Sequence, residues 1–200
     1  MGSAELWLAT GNPNKVAELA AMLSGRYVVQ PRPEGLTDTI EDGETLEANA
    51  LKKAREVAAA TNGLAVADDT GLFVDALDGR PGVYSARYAE AAGMGEEGDA
   101  EANMKLLLSE LDGLDGPDAR QARFVTVIAV VGPGREDLTV TGTVEGWITP
   151  DRRGGEGFGY DPIFVPDEGN GSSFAEMGLE AKNKISHRAR AVAALLEVLS

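Results

Sequence analysis

At 200 residues, of which 43% are hydrophobic, the chain is long enough to bury a core of its own. It has no cysteine, which excludes both a disulfide framework and a thiolate metal site. Its net charge of −15 repels a nucleic-acid backbone, so we expect no nucleic-acid partner. The N-terminal sequence lacks the basic segment of a signal peptide, and no apolar run is long enough to span a bilayer. We therefore expect a cytoplasmic protein with no membrane partner.

The chain opens with a predicted strand, a turn and a helix. Residues 6–9 form a short apolar run, and an Asn-Pro pair then supplies the N-cap and the first-turn proline of a helix that Gly25 ends. The turn between them is a candidate phosphate site, because the unsatisfied N–H groups and the positive end of the helix dipole face outward there. It consists of Thr10, Gly11, Asn12, Pro13, Asn14 and Lys15. An ordinary capped helix explains the same residues, and the glycine spacing of a P-loop is absent.

The next predicted elements are an irregular segment, a helix and a second buried strand. Residues 31–43 are rich in proline, glycine and acids, which is typical of irregular structure. Residues 45–61 are rich in alanine, leucine, lysine and arginine, which favour a helix, and an Asn-Gly pair ends it. Residues 64–67 form the strand, and we expect the Asp-Asp-Thr-Gly run of residues 68–71 to close it.

Two polar residues of the second predicted helix, Asn49 and Lys53, are four residues apart and share a face. On an exposed helix such residues only increase solubility. Beside a bound triphosphate they would form part of a polar, basic wall.

Two adjacent acids, Asp68 and Asp69, stand at the predicted end of the second strand. Carboxylate oxygens suit magnesium, which is usually held by one or two protein carboxylates together with substrate phosphates. Neighbouring strand residues point to opposite faces, so both acids serve one site only if the strand is already turning. Glu41, Glu44 and Glu47 are candidates for a further ligand. An Asp-Asp-Thr-Gly run is also a common turn sequence, and that interpretation stays open.

The second half of the chain predicts a helix, a strand pair and a final helix. A glycine-rich acidic loop precedes a helix at about 102–111, and two β-branched runs at 123–131 and 138–149 form strands joined by a short loop. A brief extended piece follows, and residues 179–199 predict one amphipathic helix. The order is mixed α/β, and without a linker we expect a single domain over residues 1–200.

Two further motifs carry candidate binding residues. The loop Phe158-Gly159-Tyr160-Asp161 offers aromatic rings that can stack on a base and an acid that can read a polar base edge. A buried aromatic pair is the alternative. A basic cluster near the C-terminus contains the only histidine of the chain, and a solvated helix face is its ordinary explanation. The cluster consists of Lys182, Lys184, His187, Arg188 and Arg190.

Together these segments resemble the inosine triphosphate pyrophosphatase family. The likeness rests on LATGNPNKVAEL, ETLEANALKKA, ADDTGLFVDALDGRPGVYSARYA, GFGYDPIFVP, and FAEM followed by KNKISHRARA, and it runs from about residue 7 to residue 191. It implies hydrolysis of ITP, dITP and XTP to the monophosphate and pyrophosphate, with Mg²⁺ as the cofactor. It also implies an elongated, two-lobed mixed α/β sheet flanked by helices, an active site in a central cleft, and a homodimer.

The resemblance also implies roles for individual residues. Asp69 matches the catalytic carboxylate and magnesium ligand, and Glu41 matches a second magnesium ligand. The turn of residues 10–15 matches a phosphate site, and Thr70 replaces the serine that is frequent in the family. The implied substrate contacts outside that turn are Lys53, Thr70, Phe158, Gly159, Tyr160, Asp161, Lys182, His187 and Arg188.

Two other functions remain compatible with the sequence. One is an enzyme that acts on modified pyrimidine triphosphates, and the other is a regulator that binds nucleotides without hydrolysing them. Pyrophosphate release from a panel of triphosphates, with and without magnesium, separates these possibilities.

Overall fold

The computed structural model describes residues 4–199, and it contains six α-helices and seven β-strands within that range. The helices are α1 Pro13–Leu23, α2 Leu46–Thr61, α3 Tyr88–Ala91, α4 Ala100–Glu110, α5 Phe174–Ile185 and α6 His187–Val198. The strands are β1 Ala4–Leu8, β2 Tyr27–Gln30, β3 Ala65–Val74, β4 Pro81–Gly82, β5 Gln121–Val131, β6 Leu138–Ile148 and β7 Phe164–Pro166. Among these described helices, none has the length and apolar character needed to cross a membrane.

The strands form one mixed sheet in the order β2-β1-β3-β5-β6-β7, with β4 paired to β3. Strand β1 runs parallel to both β2 and β3, whereas β4 is antiparallel to β3 and β7 is antiparallel to β6. The combination of parallel and antiparallel pairs confirms the prediction of a mixed α/β fold.

Local signals placed the first two long helices correctly. Asn12 is the N-cap of α1 with a proline in the first turn, as predicted. Thr45 caps α2 by accepting a hydrogen bond from the backbone N–H of Ala48 at 3.1 Å, and Asn62 ends the helix in a left-handed conformation. Strand β2 was not predicted, because its four residues are too few for a clear alternation.

The prediction that residues 68–71 close the second strand is wrong. Strand β3 continues through Asp68 and Asp69 as far as Val74, so the two acids lie in its middle. Their side chains have different partners, as expected for adjacent strand residues that point to opposite faces. Cationic side chains from other parts of the chain pair with both buried carboxylates. The sequence around residues 68–71 gives no sign of these partners.

The prediction of one helix over residues 179–199 is also wrong. Helix α5 begins at Phe174 and contains a kink at Gly178, whose φ of 71° is left-handed. Ser186 is extended, with φ −65° and ψ 156°, and it separates α5 from α6. Lys184 and Arg188 therefore lie on different helices, so a shared helical face for the basic cluster does not form.

The chain folds into two compact units, and strands β3, β5 and β6 contribute to both. The first unit holds residues 4–69, 126–142 and 188–199, and the second holds residues 70–125 and 143–187. The core of the first unit includes Leu6, Leu8, Leu19, Leu23, Val66, Ile128, Val130, Ala191, Val192 and Leu195. The core of the second includes Leu72, Val74, Leu107, Leu111, Phe124, Ile148, Tyr160, Ile163, Phe164 and Phe174.

Candidate functional site

In the first unit, Asp69 receives hydrogen bonds from two side chains of α2. Asn49 Nδ2 donates to Asp69 Oδ2 at 3.2 Å, and Lys53 Nζ lies 3.1 Å from Asp69 Oδ1. Lys53 Nζ also donates to Glu41 Oε1 at 2.7 Å. The four-residue spacing predicted to put Asn49 and Lys53 on one face therefore aims both at the same carboxylate.

Burial and neighbouring charges both shift the pKa values of Asp69 and Lys53. Burial raises the pKa of Asp69, and the nearby Glu41 raises it further, while Lys53 lowers it. Burial would lower the pKa of Lys53, but the Asp69 and Glu41 carboxylates outweigh that effect and raise it. Lys53 thus stays charged between two carboxylates.

Of the three candidate glutamates, the structure brings one to Asp69. Glu41 shares the Lys53 ammonium with it, whereas Glu47 accepts a hydrogen bond from Thr139 Oγ1 at 3.0 Å and Glu44 is exposed to solvent. Of the three glutamates that the sequence offered as a further ligand, Glu41 is therefore the one that lies beside Asp69.

The carboxylates of Asp69 and Glu41 fit a magnesium ion by their chemistry, because both are oxygen ligands that already face one cation, the Lys53 ammonium. Within residues 4–199, no group of three or more histidine, cysteine, aspartate or glutamate side chains is arranged to hold a metal. The described residues therefore supply a pair of carboxylates, which is the usual protein share when phosphates provide further ligands.

Asp68 belongs to a second, more deeply buried network. Arg188 Nε and Nη2 donate to Asp68 Oδ2 at 3.2 and 3.0 Å, and Lys15 Nζ lies 3.2 Å from the same oxygen. Arg188 Nη1 donates to Glu18 Oε2 on helix α1. Arg188 is 1% exposed. Each of its three guanidinium nitrogens donates to Asp68 or Glu18, and both of these carboxylates belong to the first unit. The predicted contact between Arg188 and a base stays a prediction.

The charges of this network are strongly coupled. Burial would raise the pKa of Asp68, but Lys15 and Arg188 outweigh it and hold the pKa well below its usual range. Burial lowers the pKa of Lys15, and Asp68 opposes that change. Lys15 and Lys53 also interact electrostatically, which links the two networks. Together they set three cations against four carboxylates, three minus four giving a formal charge of −1: Lys15, Lys53 and Arg188 against Glu18, Glu41, Asp68 and Asp69.

The turn before α1 caps its own helix. Asn12 Oδ1 accepts hydrogen bonds from the backbone N–H groups of Asn14 at 3.0 Å and Lys15 at 3.3 Å, and Thr10 Oγ1 accepts one from Asn12 N at 3.2 Å. Gly11, Asn12, Pro13 and Asn14 are exposed to solvent. An anion bound to the two first-turn amides would therefore displace the Asn12 side chain.

In the second unit, Lys182 and Asp161 form a buried ion pair. Lys182 Nζ donates to Asp161 Oδ2 at 2.8 Å, and each side chain is 3% exposed. Asp161 Oδ2 also accepts from the backbone N–H of Phe158 at 2.8 Å, and the Lys182 ammonium lies 4.5 Å from the centre of the Phe158 ring. Three residues predicted to contact substrate thus lie together.

The remaining candidates of the second unit are buried or half-buried. His187 is 3% exposed, and its ring stacks on Phe124 with 4.6 Å between ring centres. Tyr160 belongs to the core and donates its hydroxyl to the backbone oxygen of Ser85 at 2.9 Å, so the buried-aromatic alternative holds for this ring. Phe158 is only half-buried and Thr70 is half-buried in β3. The solvated-face explanation is wrong for Lys182, His187 and Arg188, all of which are buried.

Loss of the Lys182 ammonium is expected to destabilise the fold, because it leaves the Asp161 carboxylate buried without its cation. Lys182→Met should lower the free energy of unfolding by about 3 kcal/mol, the lower end of the usual cost of breaking a buried ion pair. Lys184→Met is the matched control, since Lys184 pairs with Glu180 on the solvent-exposed surface. Urea unfolding of both variants measures the difference, and equal stabilities would contradict the buried pair.

The sequence did not identify Glu18 as part of the site. It lies on helix α1 three residues after Lys15 and is 3% exposed. The one available signal was its spacing from Lys15, because residues three apart share a helical face. A buried carboxylate needs a partner, which here is Arg188.

The chain matches known proteins over nearly its whole length. The model of the Ham1 family matches residues 6–198. The dITP/XTP pyrophosphatase of Bacillus subtilis is 48% identical over 198 residues, which cover 98% of this chain and 96% of that protein. Among solved structures, the Ham1 protein of Coxiella burnetii is 37% identical with a TM-score of 0.85, and the match covers 98% of each chain. The Staphylococcus aureus Ham1 protein is 38% identical with a TM-score of 0.84, covering 98% of this chain and 97% of that one.

Proposed function

Because the chain belongs to the Ham1 family, we propose that it hydrolyses non-standard purine nucleoside triphosphates such as ITP, dITP and XTP to the monophosphate and pyrophosphate. Similar proteins bear the name dITP/XTP pyrophosphatase at about half identity over nearly full length. Such an activity would remove damaged nucleotides from the precursor pool.

The observation that carries the proposal is the arrangement of Asp69 and Glu41 around the Lys53 ammonium. Two carboxylates and a lysine at one point are the groups that a metal-assisted attack on a phosphate needs. The surrounding network has a formal charge of −1, so its own cations cannot neutralise a triphosphate. An added divalent cation would supply part of the positive charge that the network lacks, which supports magnesium as the cofactor.

In this mechanism each residue performs a limited task. Lys53 and Lys15 carry the positive charge that binds phosphate oxygens and offsets charge as the bond to the leaving pyrophosphate breaks. Asp69 accepts a hydrogen bond from the attacking water and orients it toward the α-phosphorus, or takes its proton. Magnesium, when bound by Asp69 and Glu41, would supply Lewis-acid stabilisation of phosphate charge. The raised pKa of Asp69 favours a role in proton transfer, whereas metal binding favours a positioning role.

We assign base selection first to two side chains of the second unit, His187 and Phe158. Hypoxanthine and xanthine carry a 6-oxo group where adenine carries an amine, so a site that presents hydrogen-bond donors there rejects adenine. His187 is the proposed donor, and Phe158, which lies beside the Lys182 ammonium, is the proposed stacking surface. Arg188 remains a candidate only if a base draws it away from Asp68 or Glu18, the carboxylates to which it now donates.

The resemblance also supports a cytoplasmic homodimer, which we include in the proposal. Light scattering on the eluate of a size-exclusion column tests the oligomeric state, and a mass near the 20.9 kDa of one chain would contradict the dimer.

The products of an ITP digest provide the direct test of the function. We expect IMP and pyrophosphate with saturating magnesium, because the proposed attack is on the α-phosphorus, and no turnover after chelation of the metal. IDP with orthophosphate as the main products would contradict the mechanism. A parallel panel should show ITP and XTP ahead of ATP and of modified pyrimidine triphosphates. Binding of these nucleotides without any release of pyrophosphate would identify a regulator instead.

A further inference from the structure

The irregular segment of residues 39–43 is hydrogen-bonded to one face of helix α2. Four side chains of α2, spaced so that they share that face, contact the segment. Glu56 accepts from Thr39 Oγ1, Lys52 donates to Ile40 O at 2.8 Å and to Asp42 Oδ1 at 2.7 Å, Lys53 donates to Glu41 Oε1, and Asn49 accepts from Gly43 N. The position of Glu41 in the site therefore depends on this helix face.

Asn49 differs from the other three because its amide uses both ends. Its Oδ1 accepts a hydrogen bond from the backbone N–H of Gly43 at 2.8 Å, and its Nδ2 donates to Asp69 Oδ2 at 3.2 Å. The side chain is fully buried, at 0% exposure. If the Asn49 amide were rotated by half a turn, its NH₂ group would face the Gly43 N–H and its oxygen would face the Asp69 carboxylate. Both contacts would be repulsive, so the two partners fix one orientation of the amide.

The chain leaves room for this contact by placing glycine at position 43. A methyl group on Gly43 would lie 2.5 Å from Asn49 Oδ1 and 3.0 Å from the Ala48 side chain. A side chain at position 43 would therefore force the segment or the Asn49 amide to shift, which would disturb the hydrogen bond between them.

Lys53 also contacts both carboxylates, but its positive charge would be repelled by a cation bound to them. A divalent ion at Asp69 and Glu41 would compete with the Lys53 ammonium for the same negative charge. The Asn49 amide is neutral and occupies a different oxygen of Asp69 from the one that faces Lys53. Its contact with Asp69 can persist with or without the ion.

We propose that Asn49 is a positioning residue that sets the spacing of the two carboxylates, holding Asp69 through one end of its amide and the segment that carries Glu41 through the other. The inference rests on the proposed function for the identity of the metal. It assigns Asn49 to neither substrate nor reacting atoms, and the measurement that tests it uses no nucleotide.

The test is the affinity of the nucleotide-free protein for Mn²⁺, a divalent ion that takes oxygen ligands as magnesium does. Asn49→Leu should weaken Mn²⁺ binding by about tenfold, because loss of a residue that orients metal-binding groups typically costs ten- to a hundredfold in affinity. The loss of the free-ion EPR signal measures it.

Asn103→Leu is the matched control. Asn103 is also a buried asparagine on a helix, and it accepts from Ala89 N at 2.7 Å and donates to Ala86 O at 3.0 Å, both backbone groups. Both leucine variants should lose thermal stability, but only Asn49→Leu should lose Mn²⁺ affinity. Gly43→Ala, which keeps the asparagine and displaces its partner, should weaken Mn²⁺ binding in the same direction.

Wild-type Mn²⁺ affinity in Asn49→Leu, an equal loss in Asn103→Leu, or no Mn²⁺ binding by the wild-type protein would each overturn the inference. Unchanged affinity in Gly43→Ala would overturn the part that concerns the Glu41 segment. Hydrolysis of ITP by the wild-type protein separates this result from the proposed function. Asn49-dependent Mn²⁺ binding without hydrolysis supports the inference and contradicts the function, whereas hydrolysis with Asn49-independent binding does the reverse.

Discussion

Replacing Asp69 with asparagine is expected to lower kcat for ITP by about two orders of magnitude or more, the loss typical of removing a general base or a metal-binding carboxylate. The change keeps the size of the side chain and one oxygen that can accept from Lys53 or Asn49, the two donors that hold Asp69 now. We therefore expect the fold to persist. Steady-state kinetics at saturating magnesium, with circular dichroism of the same sample, measure both quantities.

Asp137→Asn is the control for this substitution. Asp137 belongs to the same unit and accepts from Arg55 Nε at 2.8 Å in a pair near the surface. Its replacement should leave kcat unchanged, because neither residue contacts the carboxylates of the site. A folded Asp69→Asn variant with near-normal kcat would exclude Asp69 from the reaction.

The parts of the fold that the sequence predicted are those decided by local hydrogen bonds. Asn12 and Thr45 cap their helices through contacts that reach two or three residues along the chain, so their sequence patterns are sufficient. Asn49 and Lys53 were likewise placed on one face by helical spacing alone. The identity of Glu41 as their neighbour required the path of the segment before α2, which no local pattern determines.

The course of strand β3 shows why the rest was not predictable. Aspartate is disfavoured in strands, so an Asp-Asp pair followed by Thr-Gly favours a turn. In the structure Asp68 is held by Arg188, 120 residues away, and Asp69 by Lys53, 16 residues away. These distant charges offset the cost of burying two carboxylates, and they allow the strand to continue.

The break between the last two helices has the same kind of cause. Residues 179–199 carry a continuous amphipathic pattern, and Ser186 alone does not interrupt it. The break allows α6 to begin at His187, with Arg188 buried against Asp68 and Glu18. The kink at Gly178 lies before residue 179, so it does not mark this break.

Loss of the Arg188 guanidinium is expected to destabilise the first unit strongly. Arg188→Met keeps an apolar stem of similar length but leaves Glu18 without the cation to which it is bonded, and leaves Asp68 with Lys15. Removing one partner from a buried charge network typically costs about 3–5 kcal/mol, because the remaining charge is uncompensated. Urea unfolding followed by circular dichroism measures the loss.

The double variant Glu18→Leu with Arg188→Met distinguishes uncompensated charge from lost packing. It removes the buried carboxylate that Arg188→Met leaves behind, and apolar replacement of both members of a buried ion pair is often close to neutral. We therefore expect the double variant to be more stable than Arg188→Met alone, although it carries one more substitution. A double variant no more stable than the single one would show that packing, and not the Glu18 charge, accounts for the cost. A loss below about 1 kcal/mol in Arg188→Met, the range of exposed pairs, would contradict a buried network altogether.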